Sequence, residues 1–311
     1  MLKKTLFIFL MLLIFSALAG CADDVNININ IETEEKVELI DYYKELRLSD
    51  EEIQYLHELK SEGKLRVALR QTSFIYYIEN DEPKGFHYDM IDSFAKMMGL
   101  ELEVVITTFR DYFTKDDVVP DEIKDDGNFS YTPDLIRDVH IYTDGITILP
   151  WREKLVDFIP LHPIREVLIH KEDLKINDFS DMDGLSAVLM LESSSQLTLE
   201  KIADENGYTF VIKTVVDSND RIEYVENNLA DFTVLDINRA VIAVEDYDEL
   251  KVGIPISEVK HIAWAVEKNN DTLASILDKY FQYIKESGEF DVIWSEYYPI
   301  DFIEYMKLLS N

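Results

Sequence analysis

The sequence predicts an α/β fold, and three observations carry that prediction. Short apolar runs such as KLRVALR (64–70), ELEVVIT (101–107) and DFTVLD (231–236) alternate with segments whose apolar residues have helical spacing. Gly63, Gly99 and Gly288 stand where three of those helices should stop. The chain of 311 residues is 47% apolar with only 10 glycines and 8 prolines, which supports a real core and argues against extended disorder.

The elements follow in order. Residues 1–20, MLKK and then TLFIFLMLLIFSALAG, read as a secretory signal, since the apolar run is too short to cross a bilayer comfortably. Leu18-Ala19-Gly20-Cys21 resembles the bacterial lipobox, so Cys21 is the expected lipidation site and palmitate its expected modification. The plain alternative is an exported protein with an incidental cysteine. Cys21 is the sole cysteine, which excludes an internal disulfide and a cysteine-rich zinc site. Residues 21–63 read as a tether, polar and acidic to about 38, followed by a leading helix. That helix has a capping box at Ser49 and Glu52 and a stop at Gly63. A strand follows at 64–70, then a turn around Asn80-Asp81-Glu82-Pro83. Next comes a helix carrying Met90, Ile91, Phe94, Met97 and Met98 inward, where the methionines read as core filler.

Residues 110–133 break the rhythm. They are long, acidic and turn-rich, so a surface insertion is expected there. After it, strand-like runs GLSAVLML, TFVIKTV and DFTVLD alternate with helices near 195–206 and 219–229. A last long helix spans 271–287, with Leu273, Ile276, Leu277, Tyr280, Phe281 and Ile284 on one face.

The chain holds 62 acidic and 30 basic residues, a net charge of −32. That charge repels nucleic acid and anionic headgroups, so neither is an expected partner. It also makes any arginine inside an apolar run conspicuous, and Arg152 in GITILPWREKLVDFIP is such a residue.

Four segments resemble the family 3 solute-binding proteins, over roughly 64–298. They are GKLRVALR, EPKGFHYDMIDSFAKMMGLELEVV, GITILPWREKLVDFIPLHP and LADFTVLD, and the third is the most specific. Within that family the chain is similar to the versions used as sensors or joined to lytic transglycosylases, on LSDEEIQYLHELKSEGKLRVAL and WAVEKNNDTLASILDKYF. No transglycosylase domain is expected after Tyr298. The resemblance implies a two-lobed type 2 periplasmic binding protein fold with a ligand cleft between the lobes. Lobe 1 would be 64–161 plus 263–311 and lobe 2 162–262, with hinge crossovers near 162–166 and 257–261. It implies a membrane-anchored, extracytoplasmic, monomeric receptor for an amino acid or similar zwitterion, handing its ligand to an ABC importer. The alternative is a sensing module acting on a signalling or cell-wall partner without transport.

The resemblance also implies site residues. Arg152 would hold a ligand carboxylate with Thr147 and the backbone of Gly145, because a guanidinium offers paired donors and keeps its charge in a dry cleft. A surface ion pair is the plain alternative. Ser193 and Ser194 would engage from a helix N-terminus in lobe 2, or merely cap that helix. Glu192 stands there in place of a family glycine. Asp236 would accept the ligand's ammonium group, or cap the helix after it, and Asp231 reads as structural. An aromatic wall is expected from one of Phe74 and Tyr76, with Trp151 a weaker candidate.

No HExxH, GxSxG, Walker or dinucleotide pattern appears, so no catalytic residue, metal or cofactor is expected and the chain is expected not to be an enzyme. His162 and His261 fall at the two crossovers, where either a pH response or simple solvation would explain them.

Overall fold

The computed structural model describes residues 41–116, 118–119, 131–215, 220–245 and 247–309. The expectations placed on the signal, on Cys21 and on the tether lie outside them.

Two five-stranded sheets organise the chain. The first has the order β4-β1-β5-β12-β6, with β1 (Leu65–Arg70) parallel to β4 (Leu102–Thr107) and β5 (Ile141–Thr147). Strand β12 (Lys260–Glu267) returns antiparallel between β5 and β6 (Val156–Ile164). The second has the order β11-β7-β10-β8-β9: β7 (Glu166–Lys171), β8 (Ser186–Met190), β9 (Val211–Val215), β10 (Phe232–Asp236) and β11 (Leu250–Pro255). Between β1 and β4 lie a small hairpin, β2 (Tyr77–Glu79) and β3 (Glu82–Lys84), and helix α2 (Phe86–Met98). In each sheet the parallel pairs need helical crossovers, which is why βα alternation was visible in the sequence.

The chain crosses between sheets twice. Only Arg165 separates β6 from β7, and residues 256–259 join β11 to β12. The two crossings are tied together: the Arg165 Nε donates to the Ser257 carbonyl at 2.9 Å and the Glu166 amide to the Ser257 hydroxyl at 3.0 Å. The first sheet runs on to Ile164 and resumes at Lys260, a few residues past the expected lobe limits at 161 and 263.

Helix α1 (Asp50–Glu62) carries its capping box as expected, with Glu52 accepting from the Ser49 amide and Ser49 accepting from the Glu52 amide. It is not an appendage of the tether. Leu56 and Leu59 are buried in the lobe 1 core, and Glu52 accepts from Lys279 and Ser275 on α6 (Asp271–Ser287). The boundary drawn at residue 63 therefore moves, because an amphipathic helix with one apolar face needs a partner surface.

Lobe 2 adds helices α3 (Ser194–Asn206), α4 (Asp220–Glu226) and α5 (Ile237–Ala243) around its sheet. Lobe 1 ends with α7 (Glu289–Tyr297) and α8 (Phe302–Leu308), whose Trp294, Phe302 and Tyr305 pack around His162, with Phe290 against Phe302. The Tyr305 hydroxyl donates to the Pro163 carbonyl at 2.6 Å, fixing the strand that leads into the hinge. His162 is therefore a core histidine. Burial lowers its pKa to about 3, so it stays neutral and neither the solvated nor the pH-responsive reading applies to it.

The expectation for 110–133 also changes at its start. Residues 110–113 form a short 3-10 turn, and Tyr112 and Phe113 are buried against Tyr142 and Trp151. The aromatic pair inside an acidic stretch was the signal that this segment enters the core. Residues 120–130 lie outside the described ones.

Candidate ligand site between the two lobes

The crossovers bring the C-terminal ends of β5 and β10 to face each other across a cleft, the usual place for a ligand in open α/β sheets. A cavity of about 60 Å³ lies there. Lobe 1 lines it with Phe109 and Thr147, the hinge with Glu166, and lobe 2 with Ser193, Ser194 and Asp236. Arg221 and Arg239 complete its charged wall. Four of the expected site residues are thus brought together: Thr147, Ser193, Ser194 and Asp236.

The hydroxyls already meet. Thr147 Oγ1 and Ser194 Oγ lie 3.2 Å apart, one from each lobe, so the cleft is closed. Ser193 is the N-cap of α3, its hydroxyl accepting from the Gln196 amide at 3.3 Å and lying 2.9 Å from the Ser195 hydroxyl. Glu192, just before it, has φ of 61°. That left-handed conformation favours glycine, which explains the family's residue there and the strain of a glutamate in its place.

Arg152 occupies a different layer. It is fully buried yet is not among the residues lining the cavity. Its Nη1 donates to the Thr147 carbonyl at 2.9 Å and its Nη2 to the Glu192 carbonyl at 3.3 Å, so it bridges the lobes through backbone. Its guanidinium carbon lies 5.0–5.2 Å from the ring centroids of Phe113, Trp151 and Phe109. Burial pulls its pKa down, and the charges of Glu166 and Glu192 offset part of that pull. The Nε has no hydrogen-bond partner among the described residues. A surface ion pair, the plain alternative, is excluded by the burial.

Gly145 packs against His87, whose Nε2 lies 3.3 Å from where a Cβ on Gly145 would sit. Phe74 stacks on Phe86 inside lobe 1, and Tyr76 packs on Tyr88. Neither lines this cavity, although Phe74 faces a second one described below. Trp151 serves the Arg152 cage.

Asp236 caps no helix with its side chain, even though it occupies the N-cap position of α5. Among the described residues nothing donates a hydrogen bond to its carboxylate. Burial raises its pKa to about 6, and the nearby Glu166 charge adds to the rise. Asp231 is structural, since its carboxylate accepts from the Ser186 amide at 2.7 Å and the Ser186 hydroxyl at 2.6 Å.

Several site residues were not anticipated. Glu166 accepts from Lys260 at 2.7 Å and Thr198 at 2.6 Å through Oε2, while its buried Oε1 has no partner among the described residues and the residue lines the cavity. Arg70, at the end of β1, grips the buried Asp144 of β5 through two nitrogens, with Nη2 to Oδ1 at 2.9 Å. Phe109 lies between two cations, 5.2 Å from the guanidinium carbons of both Arg70 and Arg152. Charged residues ending the strands beside the hinge were the available signal: Arg70, Glu166 and Lys260.

The comparisons with known proteins bear on this geometry. No family model matches the chain. An ancestral amino-acid-binding protein, AncCDT-1, a precursor of cyclohexadienyl dehydratase, superposes with a TM-score of 0.64 at 20% identity, covering 78% of this chain and 99% of that one. The substrate-binding protein of an amino acid ABC transporter gives 0.61 at 21% identity, covering 76% and 99%. Holo ArgBP from T. maritima gives 0.59 at 20%, covering 74% and 93%.

The chain has the two-lobed amino-acid-binding-protein fold.

Curated relatives are of another kind. Membrane-bound lytic murein transglycosylase F of Desulfosudis oleivorans is 28% identical over 260 residues, 82% of this chain and 53% of the relative. The protein of that name from Saccharophagus degradans is 28% identical over 247 residues, covering 78% and 46%. The chain spans about half the length of the curated relatives it matches. The resemblance to family 3 binding proteins and to the transglycosylase-linked versions therefore holds. The expectation that the chain is not an enzyme is overturned, because these relatives are named as enzymes. Catalytic patterns were sought in this chain alone, which spans about half of each of these enzymes.

Proposed function

We propose that this two-lobed unit binds a small zwitterion, an amino acid or a close analogue, and works outside the cytoplasm as the ligand-sensing part of a cell-wall-cleaving system. One observation carries the binding reading: a cavity in the closed interlobe cleft is lined by the hydroxyls of Thr147 and Ser194 and by an Asp236 carboxylate with no hydrogen-bond donor among the described residues. A half-buried carboxylate without a donor is costly, and a ligand ammonium would remove that cost. Asp236 takes the ammonium with help from Glu166, and Thr147, Ser193 and Ser194 give hydroxyl and amide partners. Closure follows because the ligand contacts both lobes and therefore binds the closed state better. Arg152 holds the closed arrangement through the Glu192 carbonyl, and Gly145 keeps the room that His87 needs.

The murein-cleaving context is supported by the transglycosylase F relatives. A second reading, delivery of the ligand to an ABC importer, is supported by the substrate-binding protein that shares the fold. In both, residues 1–20 direct export and a lipid on Cys21 holds the protein to the membrane.

Calorimetry of the full-length chain in detergent against the common amino acids tests the binding reading. Wild type should bind at least one of them, and Asp236→Asn should weaken it by about tenfold or more, the equivalent of one charge-assisted hydrogen bond. Absence of binding, or an unaffected Asp236→Asn, removes the proposal. Ligand-dependent murein cleavage by a cell envelope containing the protein, set against ligand uptake, separates the two outputs.

A further inference from the structure

Arg239, on the first turn of α5, lines two spaces at once. One is the inner cavity of about 60 Å³, and the other is a cavity of about 400 Å³ at the mouth of the same cleft. Ligand pockets commonly span about 300–1,000 Å³, so the inner space is too small for a whole amino acid while the outer one falls in range. The inner space suits a group the size of an ammonium. Phe74, Tyr77 and Tyr297 of lobe 1 line the outer cavity, facing Ile242, Ala243 and Tyr247 of lobe 2. Two exposed carboxylates, Glu223 and Glu296, also line it.

Two of the guanidiniums near the cleft, Arg152 and Arg239, differ in what they lack. Arg152 spends both terminal nitrogens on carbonyls and is caged by rings. Arg239 makes no hydrogen bond or ion pair among the described residues, and its guanidinium carbon lies 5.5 Å from the Phe74 ring centroid. A half-buried guanidinium resting on an aromatic face, with all donors free, is arranged to receive a planar anion.

We propose that the ligand is an α-amino acid with a large aromatic or aliphatic side chain: its ammonium enters the inner cavity at Asp236, its carboxylate lies on Arg239, and its side chain fills the outer cavity. This rests on the zwitterion reading above and names its ligand class. The aromatic wall gives the side chain apolar area, and Glu223 and Glu296 disfavour an acidic one.

Calorimetry with phenylalanine, leucine, alanine, glutamate and phenylalaninamide, on the full-length wild type and on Arg239→Gln and Arg152→Gln, tests it. Phenylalanine and leucine should bind wild type about tenfold or more tighter than alanine, and glutamate weaker than alanine. The amide should lose about tenfold or more, the loss expected for one charge-assisted bond. Arg239→Gln should weaken phenylalanine equally and no longer distinguish it from its amide, a readout that a merely structural role would not move. If wild type prefers neither large side chains nor the free carboxylate, or if only Arg152→Gln erases the distinction, this inference falls while zwitterion binding stands. If wild type binds none of these probes or any other amino acid, both fall. Should Arg239→Gln fail to fold by its melting curve, the wild-type preferences alone decide.

Discussion

The two faces of the cleft are built on opposite electrostatic terms. On lobe 1, most of the polar demand is met within the protein: Arg70 is held by Asp144, Tyr112 donates to the same carboxylate at 3.0 Å, and Arg152 places both terminal nitrogens on carbonyls, leaving its Nε without a partner among the described residues. On lobe 2, Asp236 and Arg239 both line the cavity and neither has a hydrogen-bonding partner among the described residues. Lobe 1 is thus the more nearly finished face, and lobe 2 carries the larger unmet demand. A ligand gains most where the protein has left polar groups uncompensated, because binding there relieves a cost rather than competing with an existing bond. Glu166 and Lys260 sit at the boundary, one ion pair joining the two hinge strands.

If this contrast is right, removing a charge should have opposite consequences on the two faces. Asp144→Asn removes the buried carboxylate that Arg70 grips and should cost about 3–5 kcal/mol of unfolding free energy. Denaturant unfolding at neutral pH measures it, and a loss under 1 kcal/mol would show that lobe 1 is not held by this pair. The same change on lobe 2 should do the reverse. In the folded chain Asp236 titrates near 6, against an ordinary value of 3.8. Between those values the folded state keeps a proton that the unfolded state has lost, so stability falls as pH rises through that window. The ligand-free protein should therefore lose up to about 3 kcal/mol from this group between pH 4 and 6. Asp236→Asn should flatten that slope and raise ligand-free stability at pH 7, followed by unfolding across pH. A variant that is less stable than wild type at pH 7 would mean that the carboxylate already has its partner.

The layout of lobe 1 was legible from periodicity and stop signals. The capping box at Ser49 and Glu52, the apolar stripe from Leu273 to Ile284 and the strands ending at Arg70 and Thr107 all stand where the sequence places them. Local pattern determines these elements, so a local reading finds them. The site was legible in part. Thr147, Ser193, Ser194 and Asp236 converge because strand ends and helix starts converge in this fold, and the motif order carried that information. The role of Arg239 was not readable, because nothing local separates a helix arginine facing solvent from one resting on Phe74, a residue 165 positions away in the chain. Arg152 was conspicuous for the right reason, its isolation in an apolar run. Its depth depends on Phe109 and on Phe113, the latter in a segment that length, acidity and turn residues had assigned to the surface.

The smallest expected effect lies on the loop that joins the faces. Glu192 belongs to lobe 2, yet its carbonyl is the acceptor for lobe 1's Arg152, and its φ of 61° strains any residue with a Cβ. Its side chain gives little in return: it makes a 4.0 Å approach to the half-exposed Arg110, and its charge is a minor offset to the burial of Arg152. The backbone amide of Glu192 bonds to Gln196 at 3.0 Å and is untouched by substitution. Glu192→Gly should therefore relieve about 1–2 kcal/mol of strain. The added freedom of the unfolded chain offsets about 0.5–1 kcal/mol of that. A net gain of about 0.5–1 kcal/mol should raise the melting temperature by about 1–4 °C, with the Arg152 bridge intact. A fall instead would mean that the glutamate side chain itself holds the lobes together, and the division into a more nearly finished face and a demanding one would have to be redrawn at this loop.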